Sequence, residues 1–168
     1  YRINFIYASP SPPAPPAGPP GVDIVPLTPP LIERLRQSPT RKVSNSVSFT
    51  AAGLAGFAVV EGGRPLSVAH VADVRHYDRS RTWPLAADEV ALMDIATEED
   101  ARGRGLAVHL IRAVADHAAS GRQGVIAFIW WTNTPSLRAF AKAGWRRIGF
   151  SVELRTGGRW IGIRVPLG

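Results

Sequence analysis

Ten of the fifteen prolines lie within the first thirty residues, and most of those fall in Ser9 to Gly21 (SPSPPAPPAGPPG). Proline fixes φ and has no backbone donor, so neither a helix nor a central strand can run through this stretch. It reads as a polyproline-like or disordered spacer, a plain linker rather than an SH3-type ligand. The chain therefore divides into residues 1–21, a short strand candidate followed by the spacer, and residues 22–168, one domain. The alternation in Tyr1 to Ala8 (YRINFIYA) suits a strand that must add to the main sheet or belong to a partner.

What remains is long enough to bury its own core. The chain has no cysteine, which excludes disulfides, a thiol nucleophile and thiolate metal sites. No run of 18 apolar residues occurs and the Pro-rich start is unlike a signal peptide, so no membrane role is expected and cytoplasmic localisation is the default. A formal charge of +7 raises nucleic acid as a partner. Eighteen of the twenty basic residues, however, are arginines scattered from Arg2 to Arg164, and the densest group (Arg75, Arg79, Arg81) is shared with Asp73 and Asp78. Nucleic acid is disfavoured; a basic surface for an acidic ligand serves as well, and an arginine-biased composition serves better than either.

Past the spacer, Val22 to Leu27 is a strand candidate, Pro30 to Gln37 a short helix, and the polar Ser38 to Thr50 a loop. Leu54 to Glu61 and Leu66 to Arg75 form a hairpin around Gly62-Gly63-Arg64-Pro65. Then come strand Asp88 to Thr97, helix Gly105 to Ala119, strand Val125 to Trp131, helix Pro135 to Ala143, and strands Arg146 to Arg155 and Trp160 to Val165. This order predicts an α/β (α+β) fold with a mixed, mostly antiparallel central sheet and helices on both faces. In the longer helix Leu106, Leu110, Val114 and Ala118 make the buried stripe, while His109 and His117 belong to the solvated surface. VIAFIWW, apolar on both faces, suits a parallel strand covered on both sides.

Between the strand and that helix stands Thr97-Glu98-Glu99-Asp100-Ala101-Arg102-Gly103-Arg104-Gly105-Leu106-Ala107. Two glycines at a helix entry let the backbone turn tightly and aim its N–H groups outward, which makes a phosphate cradle. No Lys-Ser/Thr follows, as a P-loop requires, and Val108 stands where a dinucleotide fingerprint needs glycine. The segment matches R-x-x-G-x-[GA] through Arg102, Gly105 and Ala107. About 26 residues on, Asn133-Thr134-Pro135-Ser136-Leu137-Arg138-Ala139-Phe140-Ala141-Lys142-Ala143-Gly144-Trp145 fits N-x-x-[SA]-x-x-x-[YF]-x-x-x-G-[FW].

With both motifs in register, the chain resembles the GCN5-related N-acetyltransferase (GNAT) superfamily from about Ala87 to Phe150. The resemblance implies a splayed parallel strand pair that opens a wedge for acetyl-CoA. The backbone of Gly103, Arg104, Gly105, Leu106 and Ala107 would hold the pyrophosphate, with Arg102 and Arg104 adding charge. The strand backbone at Ile95, Ala96 and Thr97 would pair with the pantetheine arm, and Asn133, Ser136 and Phe140 would bound it from the other side. It also implies direct transfer of the acetyl group to an amine acceptor without a metal or an acyl-enzyme, in keeping with the absence of cysteine.

Direct attack needs a neutral amine, a polarised carbonyl and a proton for the leaving thiolate. Where one branch of the family has a glutamate base, this chain has Ala91. The nearby carboxylates are Glu89, on the same face as Ala91, and Asp94, expected on the opposite face; Asp94, mid-strand, is the preferred base. His70 and His76 are alternatives. Phe140 stands where many relatives carry tyrosine, so the proton donor is open, with Tyr77 or a water as substitutes. Trp130 and Trp131 are candidates for the acyl or acceptor pocket, at least one of them being core. Two further readings stand beside the enzyme: a non-catalytic CoA-binding module, and a basic adaptor. A homodimer through the last strands or the N-terminal segment is compatible with the pattern.

Overall fold

The computed structural model describes residues 1–11, 18–77, 82–121 and 123–167. Arg79, Arg81 and Asp78 of the densest basic group, and the middle of the spacer, lie outside them. The strands are β1 (Arg2–Ala8), β2 (Asp23–Pro26), β3 (Ala55–Glu61), β4 (Arg64–Ala72), β5 (Glu89–Thr97), β6 (Gly124–Trp130), β7 (Arg146–Thr156) and β8 (Arg159–Pro166). The helices are α1 (Pro29–Arg36), α2 (Arg41–Ala51), α3 (Leu106–Ser120) and α4 (Thr134–Lys142), with one 3-10 turn at Glu99–Ala101. All eight strands form one sheet in the order β2-β3-β4-β5-β6-β1-β7-β8. Only β5 and β6 run parallel; the other neighbours are antiparallel.

Each element follows from local chemistry. Gly62 and Gly63, with φ of +54° and +79°, close the β3–β4 hairpin in two residues. Helix α1 opens with prolines in its first turn, where their missing N–H groups cost nothing. The buried stripe of α3 is the one its periodicity predicts, and it packs with Val90, Leu92, Val125 and Ala127 of the sheet into the main core. Phe140 and Leu137 bring α4 onto the same face. Across the sheet, Leu35 of α1 and Val43 and Val47 of α2 cover Val68 and Ala96. No described helix is long and apolar enough to cross a membrane.

Two expectations change. Ser38 to Thr50 is not a loop: residues 41–51 are helix α2. Val43 and Val47 form a narrow buried stripe, and the buried Ser46 hydroxyl donates to the Val43 carbonyl at 2.6 Å, so a polar sequence still buries one face. His109 is buried rather than solvated, because the linker crosses α3 there: a Cβ on Gly18 would fall 2.3 Å from the imidazole ring. The N-terminal strand adds to the main sheet, one of the two places expected for it, and lies inside the sheet. It pairs with both β6 and β7, placing Asn4 opposite Trp130 and Ser151.

Strand β1 is thus a central strand of the sheet. Ile6, fully buried, should report it: Ile6→Ala is expected to cost about 2–5 kcal/mol in urea unfolding. Ile163→Ala on the edge strand, at 63% exposure, should stay within about 0.5 kcal/mol.

Candidate active site

Strands β5 and β6 are in register only from Glu89↔Gly124 to Leu92↔Ala127. Beyond that both continue without pairing to each other, β5 to Thr97 and β6 to Trp130, and a wedge opens between them. On its β4 side β5 stays paired as far as Thr97, so the backbone groups from Met93 onward that face the wedge have no ladder partner.

At the far end of β5 the chain turns through Glu98 to Gly105 into α3. Gly103 and Gly105 have φ of +80° and +78°, and Gly105 is the left-handed N-cap of α3. Nothing lies within 4 Å of where a Cβ on either would sit, so their backbones face open space at the positive end of the helix. The cleft here encloses about 450 Å³. It is lined by Ile95, Ala96, Thr97, Arg102, Gly103, Gly105, Leu106, Ala107, Asn133, Ser136 and Phe140. The two motifs, far apart in sequence, face each other across it. Open left-handed glycines, a helix N-terminus and a strand edge with free backbone groups fit a phosphate-bearing ligand with an extended arm.

Arg104 does not line this cleft. Its guanidinium is held by the Glu61 carboxylate at 2.6 and 3.2 Å, and that contact keeps Glu61 below the usual carboxylate range. Arg102 lines the cleft with a longer contact to Glu99, 3.5 Å. Asn133 caps α4, its side-chain oxygen accepting the Ser136 N–H at 3.3 Å.

Past the cleft lies a smaller, more polar cavity of about 220 Å³, bounded by Asn4, Met93, Asp94, Phe128, Trp130 and Phe140. A groove of about 440 Å³ along α2 also reaches Asp94, and Lys42 borders all three spaces. Asp94 is mostly buried and its Oδ2 has no hydrogen-bond partner. Burial pushes its carboxyl up, opposed by the charge of Lys42 and by the Ile95 N–H.

The expected face of Asp94 is corrected by a bulge. Leu92 lies opposite Val71 and Asp94 opposite His70, so Met93 is an extra residue. Val90 and Leu92 face α3, whereas Ala91 and Met93 pack with Tyr77 and Ile126 on the other side. The bulge resets the alternation and leaves Asp94 on the same side of the sheet as Ala91 and Met93, toward α2.

Glu89 sits at the closed end of the strand pair, accepting the Ala86 N–H at 2.9 Å, away from the residues that line these spaces. His76 lines none of these spaces; its Nδ1–H donates to the Asp73 carboxylate at 2.7 Å, and that bond takes the Asp73 carboxyl down to about 2. Tyr77 donates its hydroxyl to the Trp83 carbonyl at 2.6 Å. Neither Trp130 nor Trp131 is core: they are 36% and 44% exposed, and Trp130 stacks with Tyr1. Phe140, 3% exposed, meets Trp145 edge to face and carries no proton to give. Among the described residues no three His, Asp or Glu side chains converge as a metal would need.

Sequence reading missed Lys42, because α2 looked like a loop, and Asn4, because β1 had no assigned position. His70 is wholly buried, its Nε2 hydrogen-bonded to the Thr50 hydroxyl at 2.9 Å, and burial takes it from 6.5 to about 4. The unfolded chain therefore takes up this proton first as pH falls. His70 lowers stability progressively from about pH 6.5 down to about 4 and leaves it unaffected above. An NMR titration should find its imidazole neutral at pH 6, and His70→Gln should flatten that part of the acid-side stability profile.

The family model for FR47-like proteins matches residues 75–155. Among solved structures, a GNAT-family acetyltransferase from Colwellia psychrerythraea superposes with a TM-score of 0.66 at 13% identity, over 98% of this chain and 56% of that one. A putative GNAT acetyltransferase from Novosphingobium aromaticivorans gives 0.60 at 20% identity, over 87% and 60%. The aminoglycoside N-acetyltransferase AAC(6')-Iy, solved with CoA, gives 0.57 at 20% identity, over 75% and 88%. The chain spans 48–60% of the length of four such matches. No curated protein matches it by sequence. At these identities the likeness establishes the fold. The chain thus has the fold of the GCN5-related N-acetyltransferases, and within it residues 75–155 are similar to the FR47-like family.

Proposed function

We propose that this chain is an acetyl-CoA-dependent N-acetyltransferase that passes the acetyl group directly to a primary amine. The observation that carries the reading is the continuity of the glycine cradle, the strand wedge and the mostly buried Asp94 carboxyl, one oxygen of which has no hydrogen-bond partner, all bordered by Lys42. Acetyl-CoA supplies the acetyl group as a thioester. The N–H groups of Gly103 to Ala107 hold its pyrophosphate, and Arg102 adds charge beside them. The free β5 edge from Ile95 to Thr97 orients the arm, and Asn133, Ser136 and Phe140 close its other side.

Asp94 is the general base. The raised carboxyl accepts a proton from the acceptor ammonium, directly or through a water. The neutral nitrogen then attacks the thioester carbonyl; the C–N bond forms, the C–S bond breaks with its electron pair leaving on sulfur, and the second proton of the now cationic nitrogen passes to water. With phenylalanine at position 140, the thiolate takes its proton from water or departs charged.

A second reading, a CoA-binding module without turnover, draws on that same Phe140 and on Tyr77, whose hydroxyl proton is directed at Trp83. Calorimetry and a free-thiol assay over a panel of amines separate the two. Gly105→Val fills the open space and forces a branched side chain to positive φ, and is expected to weaken acetyl-CoA binding at least about 10-fold. Asp94→Asn is expected to lower turnover about 100-fold with cofactor affinity unchanged, and to erase the acidic limb of the pH–rate profile. Unaltered turnover in that variant would remove Asp94 from the role.

A further inference from the structure

The groove along α2 has a charge pattern that the fold itself does not need. Helix α2 begins with Arg41 and Lys42 and has no acidic residue in its first turn. The N-terminal end of a helix is its positive end, so cations there act against the helix field. Both side chains are exposed and line the groove, and neither has an ion-pair partner among the described residues. The arginines of the hairpin and of the loop before α3 behave differently: Arg64 is paired with Asp100, Arg102 with Glu99 and Arg104 with Glu61. Among the described residues only Asp94 answers either charge, and it does so at a distance from Lys42; a local rule broken at a site with so little compensation points to a partner that arrives from outside.

The rest of the groove defines that partner's size and character. Its volume of about 440 Å³ suits a small molecule. Asn45 and Ser48 offer hydrogen bonds, Phe49 an aromatic face, and Asp94 the single carboxylate. A polycationic amine would meet two unpaired positive charges and one acid. A neutral monoamine would satisfy Asp94 and leave Arg41 and Lys42 unanswered.

We propose that the acceptor is an amine bearing an anionic group, a carboxylate or a phosphate, which Arg41 and Lys42 receive while its nitrogen faces Asp94. This rests on the acetyltransferase reading and names the substrate class of the same site. The anion anchors the molecule at the helix end of the groove, and the ammonium at the other end meets the base beside the thioester.

Matched probes test it: phenylalanine against phenethylamine, 2-aminoethyl phosphate against ethanolamine, and spermidine as the polycation, all by free-thiol release. The anionic member of at least one pair should be favoured about 10-fold or more in kcat/KM, and the pair that shows it tells carboxylate from phosphate. The doubly substituted Arg41→Gln, Lys42→Gln protein should reduce the preference to about 2-fold or less. Lys42→Glu should turn it toward spermidine. Preference for the neutral or polycationic probes, or a preference that survives the double substitution, overturns the proposal.

If no probe is turned over, calorimetry of the same pairs against the CoA-saturated protein decides. Charge-selective binding that the double substitution abolishes upholds an anionic amine as the ligand of the groove and overturns its role as acceptor. Equal or absent binding ends the proposal, while the acetyl-CoA titration reports separately on the cofactor site.

Discussion

Four residue pairs of parallel ladder join β5 to β6, and the absence of a fifth is what gives this protein a site. A sheet that stayed paired would satisfy its own backbone and leave nothing for a ligand to bind. Here the two strands are held together at one end by Glu89↔Gly124 to Leu92↔Ala127, and at the other they are held apart by different neighbours. Strand β4 keeps β5, through pairs that run to Thr97, and β1 keeps β6, through pairs that run to Trp130. Each diverging strand thus spends half of its hydrogen-bonding capacity on a fixed partner and offers the other half to the cleft.

The loop and the helix on either side of this cleft are fastened together. Ser38 donates to the Glu98 carboxylate at 2.6 Å, and the Glu99 N–H donates to the Thr40 hydroxyl at 3.1 Å. Glu98 is itself buried, and its N–H reaches the Leu66 carbonyl. The glycine cradle and the start of α2 therefore share one set of anchors. Whatever the cradle binds is placed at a fixed offset from Arg41 and Lys42, so the cleft and the α2 groove are positioned by the same short segment.

Much of this was legible in the residues. The stripe of α3, the hairpin glycines and the spacing between the two motifs each state a local rule, and the fold obeys it. The residues of the cleft could be named because a helix-entry turn is a contiguous backbone feature, written in one stretch from Arg102 to Ala107. The cavity around Asp94 is harder to read because it is assembled from distant pieces. Asn4, Lys42, Asp94 and Trp130 come from four elements, and no local pattern links them. Helix α2 escaped because Ser46 is polar in identity yet buried with its hydroxyl satisfied inside its own turn. The direction of Asp94 escaped because one bulge residue inverts a strand's alternation and leaves no mark in composition. The pairing of Arg104 with Glu61 escaped because 43 residues separate the loop before α3 from the end of β3.

The position of β1 also sets how the chain reaches this structure. Ile6 lies opposite Phe128 on one side and Gly149 on the other, partners made more than 120 residues later. A strand with such remote partners contributes contacts of high sequence separation, which slow folding because a large loop must close before any bond rewards it. During synthesis β1 emerges early and waits, with its hydrogen-bonding edges open, while the hairpin of β3 and β4 and then the β5–α3–β6 unit form from nearer neighbours. Closure of the β6–β1–β7 ladder is then a late event in folding. The open edge of the waiting strand is the segment most exposed to capture by another chain, and the spacer that follows it, unable to form a strand itself, limits how far such pairing can spread.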